Sequence, residues 1–282
     1  MDKLIIGCGY LGCRVAKRWL TQGHTVHALT RSREAGLEAL GIQPIRGDVR
    51  ELLDVIPLPP AGTVLYAVAP GRDEGQTPDD VWLGGLGNVL GAIADWRHRP
   101  RLIFISSTSV YGQTDGEEVD ESSPTQPREE AGEALLRAED FLSKQWPEAV
   151  ILRFAAIYGP GRLLRNKAIQ AGEPIVADPE KWLNLIYVED GADAVLAAEA
   201  HGKAGGIYNI CDGQPVRRRD LYARMADVLN APLPRFEPPS PDSLPPHESA
   251  NRRISNRRMI EELKIDLHYP NYDIGIRGSV IA

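Results

Sequence analysis

Cysteine is scarce in this sequence, with three residues among 282. Cys8, Cys13 and Cys211 are too few and too scattered for a disulfide framework, which favours a protein of the reducing cytoplasm. Cys8 and Cys13 also lack partner cysteines or histidines at the spacing of a metal site. We interpret these two as small apolar residues that fill space in a core, and we predict no bound metal.

Long apolar runs and an excess of positive charge are also missing. No stretch approaches the roughly 20 consecutive apolar residues that a membrane-spanning helix needs. The start, MDKLIIGCGYLG, has four apolar residues before its first glycine, which does not match a secretory signal peptide. Lysine and arginine number 32 against 39 acidic residues, a net charge of −7, whereas nucleic-acid binding favours a basic surface. The sequence predicts a soluble monomer or homodimer whose partner is a small molecule, not a membrane or a nucleic acid.

The first half of the chain alternates short apolar runs with helical patterns. Six runs are typical of strands, and all but one are nearly continuous in apolar residues: 3–7, 25–30, 42–47, 63–69, 101–107 and 149–154. The run at 42–47, IQPIRG, is the weakest because it contains a proline and an arginine. Helical spacing at 10–23 and 79–96 alternates with these runs. The pattern predicts an α/β fold with a doubly wound parallel sheet and right-handed crossovers.

The later part of the chain is less regular. Residues 183–200 suggest a short strand followed by a helix, and 206–213 suggest another strand. Seven prolines between 232 and 246 predict a loop.

The hexapeptide GCGYLG fits the G-x-G-x-x-G pattern through Gly7, Gly9 and Gly12. It follows a predicted strand and opens a predicted helix, which is the context that a dinucleotide-binding turn requires. Gly7 is expected to make the tight turn, Gly9 to let the backbone approach a pyrophosphate, and Gly12 to pack helix against strand. The amides at the helix start, around Tyr10 and Leu11, would then face the phosphates.

The residues after the second strand indicate which dinucleotide is bound. An NAD-binding protein places a carboxylate there, on the ribose 2′-hydroxyl, but this chain has Thr30 followed by Arg31, Ser32 and Arg33. A guanidinium attracts the 2′-phosphate of NADP, which a carboxylate would repel. We therefore predict NADP as cofactor, with NAD as the alternative. The two arginines are also compatible with a merely solvated loop.

Other cofactor contacts are predicted at the ends of further strands. Asp48 is placed to accept from the adenine amine and Val49 to donate its N–H to the ring, although Asp48 is equally compatible with a helix N-cap. Small residues after the fourth strand let the ribose come close. The remaining predicted cofactor residues are Ala67, Val68, Ala69, Ser106 and Phe154.

The ordered set GCGYLG, GDV, ISSTSVYG, LRFAAIYGPGR, NLIYVEDGADAV and YNICDGQP resembles the extended short-chain dehydrogenase/reductase superfamily, and within it the NAD-dependent epimerase/dehydratase family. The resemblance implies a Rossmann domain at 1–158, completed by 183–213. It also implies a small substrate-binding lobe from 159–182 and 214–282. The substrates of such enzymes are usually nucleotide sugars, and this small, proline-broken lobe leaves limited room for one.

The resemblance also implies catalytic residues, and here the chain departs from the pattern. Family enzymes use a serine or threonine after the fifth strand, which Ser107 matches, with a tyrosine and a lysine four residues apart on the next helix. In this chain the aligned positions hold Ala131 and Leu135, and none of its nine tyrosines has a lysine four residues later. Leu135 is interpreted as a packing residue.

Other groups could replace the missing pair. Tyr111 is the first candidate for a displaced acid, with Tyr158 and Tyr187 as further ones, although tyrosines in these motifs usually pack against the sheet. Arg128 could bring its charge to the lysine position if the helix begins that early, and Glu139 is interpreted as a structural hydrogen-bond acceptor. Basic clusters at 217–219, 252–253 and 257–258 are interpreted as solvated faces, with substrate phosphates as the alternative.

Two functions follow. The first is an atypical NADP-dependent oxidoreductase or epimerase that acts on a nucleotide sugar or a small carbonyl compound. The second is a non-catalytic sensor in which NADP(H) regulates a partner surface. Loss of a positioned general acid typically lowers a rate about 10²–10⁴-fold, which a hydride transfer survives better than a full epimerisation.

Overall fold

The computed structural model describes residues 2–71, 75–239 and 246–281 of the chain. It has a mixed α/β architecture built around a seven-stranded sheet, which confirms the predicted fold class. The strands are β1 Lys3–Ile6, β2 Val26–Thr30, β3 Gln43–Arg46, β4 Thr63–Tyr66, β5 Arg101–Ser107, β6 Glu118–Val119, β7 Val150–Phe154, β8 Ala156–Tyr158, β9 Ile175–Val176, β10 Trp182–Leu183, β11 Leu185–Tyr187, β12 Ile207–Ile210, β13 Val216–Arg217, β14 Phe236–Glu237 and β15 Arg253–Ile254. The helices are α1 Gly12–Thr21, α2 Glu34–Glu38, α3 Leu52–Val55, α4 Leu86–Ala94, α5 Glu130–Gln145, α6 Asn166–Ala171, α7 Val188–His201, α8 Arg218–Val228, α9 Pro246–Ser249, α10 Arg257–Leu263 and α11 Tyr272–Ile281.

The central sheet has the strand order β12-β7-β5-β4-β1-β2-β3. Strand β1 pairs in parallel with β2 on one side and with β4 on the other, and the parallel pairing continues to β3 and β5. The strand order reverses between β1 and β4. In doubly wound sheets the ligand crevice lies at such a point, beyond the carboxyl ends of the strands.

The inner strands are apolar because both faces of the sheet are covered. Every residue of β1 is buried, as is every residue of β4. Helix α1 packs through Val15, Ala16 and Trp19, which recur at helical spacing and are buried. These contacts fix the start of α1 directly beyond the end of β1.

A buried polar cluster closes the amino-terminal edge of these strands. Glu199 accepts hydrogen bonds from Lys3, from Thr63 and from the Trp19 indole, the last at 2.8 Å. The carboxylate thereby compensates the buried ammonium of Lys3, which would otherwise be costly inside the sheet.

The chain divides into two compact units. The first comprises residues 1–107, 130–153 and 192–207, and the second comprises 108–129, 154–191 and 208–282. The second unit carries four two-stranded pairs, β6–β15, β8–β11, β9–β14 and β10–β13. Its core includes Tyr158, Tyr187, Tyr222, Met225 and Ile276. The predicted assignment of cofactor and substrate to separate domains stays a prediction.

All six predicted strands of the first half are present, including the weak one at 42–47, which is the edge strand β3. The predicted helix at 79–96 begins as a π-helical turn, Asp80–Gly85, before α4. The strand–helix prediction at 183–200 is realised as β11 and α7. The proline-rich loop contains the two-residue strand β14, and its residues 240–245 lie outside the described residues.

Candidate functional site

The glycine-rich turn joins β1 to α1, and its three glycines occupy different environments. Gly7 has a φ of +88°, and a Cβ placed on it would lie 2.8 Å from the backbone N and Cα of Val68. A Cβ on Gly12 would lie 3.2 Å from the Gly7 carbonyl oxygen and 3.4 Å from the Ile5 side chain. A Cβ on Gly9 would meet no atom within 4 Å. The turn thus needs glycine at Gly7 and Gly12 for its own packing, whereas Gly9 leaves open space beside the backbone.

The residues between these glycines shape the start of α1. Leu11 is buried and precedes the first helical residue, while the Tyr10 ring stacks on the Arg14 guanidinium at 4.1 Å. Arg14 also donates to the Tyr10 carbonyl oxygen at 2.8 Å. The side chains of Tyr10, Leu11 and Arg14 are thus occupied by contacts within the protein. What this segment offers a ligand is therefore the backbone of a helix N-terminus, where N–H groups and partial positive charge favour an anion.

A cleft of ≈ 380 Å³ opens beside the carboxyl ends of β2 and β3. It is lined by Arg31, Arg46, Gly47, Asp48 and Asp54. Parallel register aligns Thr30 with Arg46, so the residue after β2 and the last residue of β3 reach the same edge. The Arg31 side chain is 46% exposed and that of Arg46 is 81% exposed. Both guanidiniums are thus accessible from solvent, although each lies near a carboxylate: Arg31 is 3.9 Å from Asp48, and Arg46 is 3.5 Å from Glu34.

The two aspartates of this cleft are engaged by the protein. Asp48 binds Arg50 through a side-chain pair at 2.7 Å and accepts the Arg50 N–H at 3.0 Å. These hydrogen bonds, with the charges of Arg50 and Arg31, hold the pKa of Asp48 below its usual range. Asp54 accepts the N–H of Asp48 at 2.9 Å. The alternative of Asp48 as a helix N-cap is wrong, because α3 begins at Leu52 and residue 51 occupies its N-cap position.

The other two residues of the predicted Arg31–Arg33 segment differ from Arg31. Ser32 is exposed. Arg33 donates from Nη1 to the carbonyl oxygen of Cys8 at 3.0 Å. Arg33 thus supports the glycine-rich turn, and Arg31 is the arginine of this segment that lines the cleft.

The predicted adenine and ribose segments are held in place by side chains of the same unit. Asn88 donates to the Val49 carbonyl oxygen at 2.9 Å, and Trp82 donates to the Val68 carbonyl oxygen at 2.9 Å. Ala67 continues from β4 with its N–H bonded to Ile6, and Ala69 is exposed. These bonds give both loops a fixed backbone, which a ligand-binding surface requires.

Ser106 lies near the end of β5 and is buried. Its hydroxyl donates to Glu139 at 2.5 Å, and Arg153 binds the same carboxylate at 2.6 Å. The interpretation of Glu139 as a structural acceptor is confirmed. Ser107, the last residue of β5, is half-buried. Its place at the carboxyl end of a central strand is where the family pattern puts the hydroxyl, and its catalytic role stays a prediction.

Helix α5 carries the positions that the tyrosine and lysine would occupy. Leu135 is buried in α5, and Ala131 is half-buried. The helix begins at Glu130, so the condition for Arg128 to reach the lysine position is not met. Arg128 instead donates from Nε to the Gly112 carbonyl oxygen at 2.6 Å.

The candidate tyrosines lie inside the second unit. Tyr111 is buried, and its hydroxyl donates to the Asn209 side-chain oxygen at 2.9 Å. Burial raises the pKa of Tyr158 and raises that of Tyr187 to about 12. A general acid or base near neutral pH needs the opposite shift. Phe154, the last residue of β7, is buried as well. The catalytic role of Tyr111 and the cofactor role of Phe154 remain predictions.

The three basic clusters are tied to the second unit by hydrogen bonds and ion pairs. Arg218 is buried against Glu248 at 2.8 Å, and Arg252 donates to the Thr108 carbonyl oxygen at 2.6 Å. Arg253 donates to Gly116, and Arg258 pairs with Glu121 at 3.9 Å. The interpretation of these clusters as solvated faces is therefore incomplete, because Arg218 is buried and Arg252 is half-buried.

Arg46 was missed by sequence reasoning. It is the fifth residue of IQPIRG, the run whose proline and arginine weakened the strand prediction. The signal was available, because the carboxyl ends of neighbouring parallel strands meet at one edge. An arginine ending β3 therefore belongs beside the residues that follow β2.

The profile of the NAD dependent epimerase/dehydratase family matches residues 4–211. Protein YeeZ of Escherichia coli (strain K12) is 31% identical over 284 residues, covering 95% of this chain and 96% of that protein. GDP-6-deoxy-D-mannose reductase of Pseudomonas aeruginosa is 29% identical over 189 residues, 60% of this chain and 62% of the relative.

Solved structures show the same fold. UDP-glucose 4-epimerase of Thermotoga maritima, solved with UDP-glucose, superposes with a TM-score of 0.85 over 100% of this chain and 98% of its own, at 18% identity. Among the described residues, no helix is long and apolar enough to span a membrane.

Proposed function

The chain belongs to the NAD dependent epimerase/dehydratase family, and we propose that it binds NADP(H) and acts as a reductase or epimerase on a nucleotide-linked or small carbonyl substrate. The cofactor lies along the glycine-rich turn, with its 2′-phosphate between Arg31 and Arg46. The usual tyrosine–lysine pair is replaced by Ala131 and Leu135. NAD is the weaker alternative.

One observation carries the choice of NADP. The cleft at the carboxyl ends of β2 and β3 presents two exposed guanidiniums in loose ion pairs, Arg31 at 3.9 Å from Asp48 and Arg46 at 3.5 Å from Glu34. Arg50 binds Asp48 more closely, at 2.7 Å. A phosphate dianion between Arg31 and Arg46 makes charge-assisted hydrogen bonds with both. A ribose hydroxyl gains much less there, because it carries no charge.

The fit to a dinucleotide also depends on the turn itself. The open space at Gly9 lets a pyrophosphate approach the backbone, and the α1 N-terminus supplies N–H donors. Bound NADPH would supply a hydride to a carbonyl carbon. In this proposal Ser107 donates a hydrogen bond to that carbonyl oxygen, and water or the substrate provides the proton. Leu135 excludes water from its stretch of α5 and moves no proton.

Arg31→Ala and Arg46→Ala are each expected to weaken NADPH binding by about tenfold, the loss of one exposed charge-assisted hydrogen bond worth about 1.4 kcal/mol. NADH binding should stay unchanged, because NADH has no 2′-phosphate. Isothermal calorimetry with NADPH, NADP⁺, NADH and NAD⁺ measures both effects.

Arg97→Ala is the matched control, because Arg97 is an exposed arginine before the amino end of β5, away from the carboxyl edge. Equal loss of NADPH and NADH affinity in the Arg31 variant would argue against a 2′-phosphate contact. Absence of binding by all four dinucleotides would remove the proposal.

A non-catalytic NADP(H) sensor is the second candidate. It is favoured by the buried Leu135 in place of a lysine and by tyrosines whose pKa is raised instead of lowered. Such a protein would bind the cofactor, show no turnover, and change its affinity for a partner with the NADPH/NADP⁺ ratio.

Ser107→Ala separates the two candidates. An enzyme should oxidise NADPH with a panel of aldehydes, ketones and keto-sugar nucleotides, and this variant should lower kcat by about tenfold through loss of one hydrogen bond at the reacting oxygen. Its NADPH affinity should match the wild type. Ser143→Ala, whose hydroxyl bonds within α5 to the Glu139 carbonyl, is the control serine and should leave kcat unchanged. Tight NADPH binding without oxidation by any member of the panel favours the sensor.

A further inference from the structure

Two of the three cysteines meet at the glycine-rich turn. The Sγ atoms of Cys8 and Cys13 lie 3.7 Å apart, with Cys8 as the donor and Cys13 as the acceptor. Cys8 is 4% exposed, and Cys13 is half-buried. The sequence interpretation of both as inert apolar fillers does not account for this pairing.

The surroundings of Cys13 favour a thiolate. It is the second residue of α1, where the partial positive charge of the helix N-terminus stabilises an anion. The Cys8 thiol donates to it, and the charges of Arg33 and Arg14 act in the same direction; together they outweigh the opposing effect of partial burial, so that the pKa of Cys13 falls to about 6. The opposite shift raises the pKa of Cys8, which therefore stays a thiol. Cys211 is buried, and its pKa is raised as well.

We propose that Cys13 and Cys8 form a peroxide-responsive dithiol that closes to a disulfide inside the dinucleotide-binding turn. The Cys13 thiolate attacks a hydroperoxide oxygen, the O–O bond breaks, and a sulfenic acid forms as hydroxide leaves and takes a proton. The Cys8 thiol then attacks the Cys13 sulfur and displaces its hydroxyl as water. Two thiols are oxidised by two electrons, and hydrogen peroxide is reduced to two waters.

The disulfide would alter the nucleotide site. Bond formation brings the sulfurs from 3.7 Å to roughly 2.0 Å and closes a ring around Gly9 and Gly12. The Cys8 carbonyl oxygen accepts a hydrogen bond from Arg33, and the Cys13 N–H donates to the Gly9 carbonyl oxygen at 3.0 Å. Because these contacts join both cysteines to the backbone of the turn, forming the disulfide would shift both ends of the turn. This consequence rests on the proposed function, whereas disulfide formation does not.

Mass spectrometry of the full-length protein tests the inference directly. Trypsin releases both cysteines in one peptide, residues 4–14, because Lys3 and Arg14 flank it. After hydrogen peroxide, this peptide should lose the mass of two hydrogens and regain it with a dithiol reductant, while Cys211 stays reduced. Wild-type peptide that keeps two thiols, or that accumulates oxidised Cys13 without a disulfide, overturns the proposal.

The pH profile of alkylation tests the contact between the sulfurs. The rate of Cys13 with iodoacetamide should rise with a midpoint near pH 6 and level off about one to two pH units higher, where nearly all of the thiol is ionised. Cys8→Ala removes the donor and should shift this profile to higher pH, whereas Cys8→Ser keeps a donor and should shift it less. A Cys13 profile like that of an ordinary thiol near pH 8.5 contradicts the inference.

Calorimetry separates this proposal from the proposed function. Oxidised wild type should bind NADPH at least about fivefold more weakly than reduced wild type, and bound NADPH should slow disulfide formation by linkage. Cys8→Ser cannot form the disulfide, and the mass of its peptide after peroxide treatment should show this. Its affinity for NADPH should therefore be the same before and after the treatment. If the reduced protein binds no NADPH, the proposed function fails and the peptide mass still decides the dithiol. Equal affinities of the two redox forms contradict the coupling.

Discussion

Gly7→Ala is expected to abolish measurable NADPH binding and to lower the free energy of unfolding by about 2–6 kcal/mol. The φ of +88° strains any residue with a Cβ, which costs about 1–3 kcal/mol. The added carbon would also lie 2.8 Å from backbone atoms of Val68, and such overpacking costs a further 1–3 kcal/mol or so. Urea unfolding and calorimetry measure the two effects.

Gly9→Ala and Gly36→Ala are the comparison variants for this prediction. Gly9→Ala meets no protein atom within 4 Å, so it should unfold like the wild type yet lose at least about tenfold in NADPH affinity, because the new methyl occupies the approach of the pyrophosphate. Gly36→Ala in α2 is equally open and should change neither property adversely. Wild-type NADPH affinity in the Gly9 variant would mean that the ligand does not pass this turn.

Glu139→Ala is expected to destabilise the protein by about 3–5 kcal/mol, because it leaves a buried guanidinium without its counter-ion. The carboxylate is 3% exposed and Arg153 is 5% exposed, and the two share hydrogen bonds of 2.6–3.2 Å. Ser106→Ala removes one hydrogen bond to the same carboxylate and should cost only about 0.5–1.5 kcal/mol. Urea unfolding at neutral pH gives both values.

Arg137→Ala provides the comparison within the same helix. Arg137 pairs with Asp79 at 2.8 Å on an exposed surface, where removal costs at most about 1 kcal/mol. A Glu139→Leu/Arg153→Met double variant should recover much of the stability that Glu139→Ala loses, since neither buried charge remains. Similar losses for Glu139→Ala and Arg137→Ala would show that burial does not set the strength of the Arg153 pair.

Periodicity and motif spacing predicted the central sheet well. Its inner strands are buried on both faces, and their apolar runs did not suggest another kind of secondary structure. The two-residue strands of the second unit, such as β6 and β15, were not predicted. Their pairing depends on residues 118–119 meeting 253–254, a long-range contact that local pattern does not encode. The π-helical turn before α4 was missed for a different reason, because an apolar helical pattern does not distinguish it from α-helix.

The site was predicted unevenly. The packing roles of Gly7 and Gly12 follow from backbone geometry, which sequence motifs report directly, whereas the role of Gly9 toward a pyrophosphate stays a prediction. Side-chain partners do not follow from sequence motifs. In the structure Ser106 bonds Glu139, and Asp48 bonds Arg50. The meeting of Cys8 and Cys13 was likewise hidden, because a separation of five residues brings two sulfurs together only when a tight turn leads into a helix.

The edge strand β3 also bears on how copies of this chain can associate. A sheet edge invites another chain to add a strand, through which aggregates grow. Here that edge is four residues long, Pro44 offers it no N–H, and the charged Arg46 ends it. The proline that made the strand hard to recognise thus protects the folded protein from edge-to-edge polymerisation. A homodimer of this chain is therefore not expected to form by extending the sheet beyond β3.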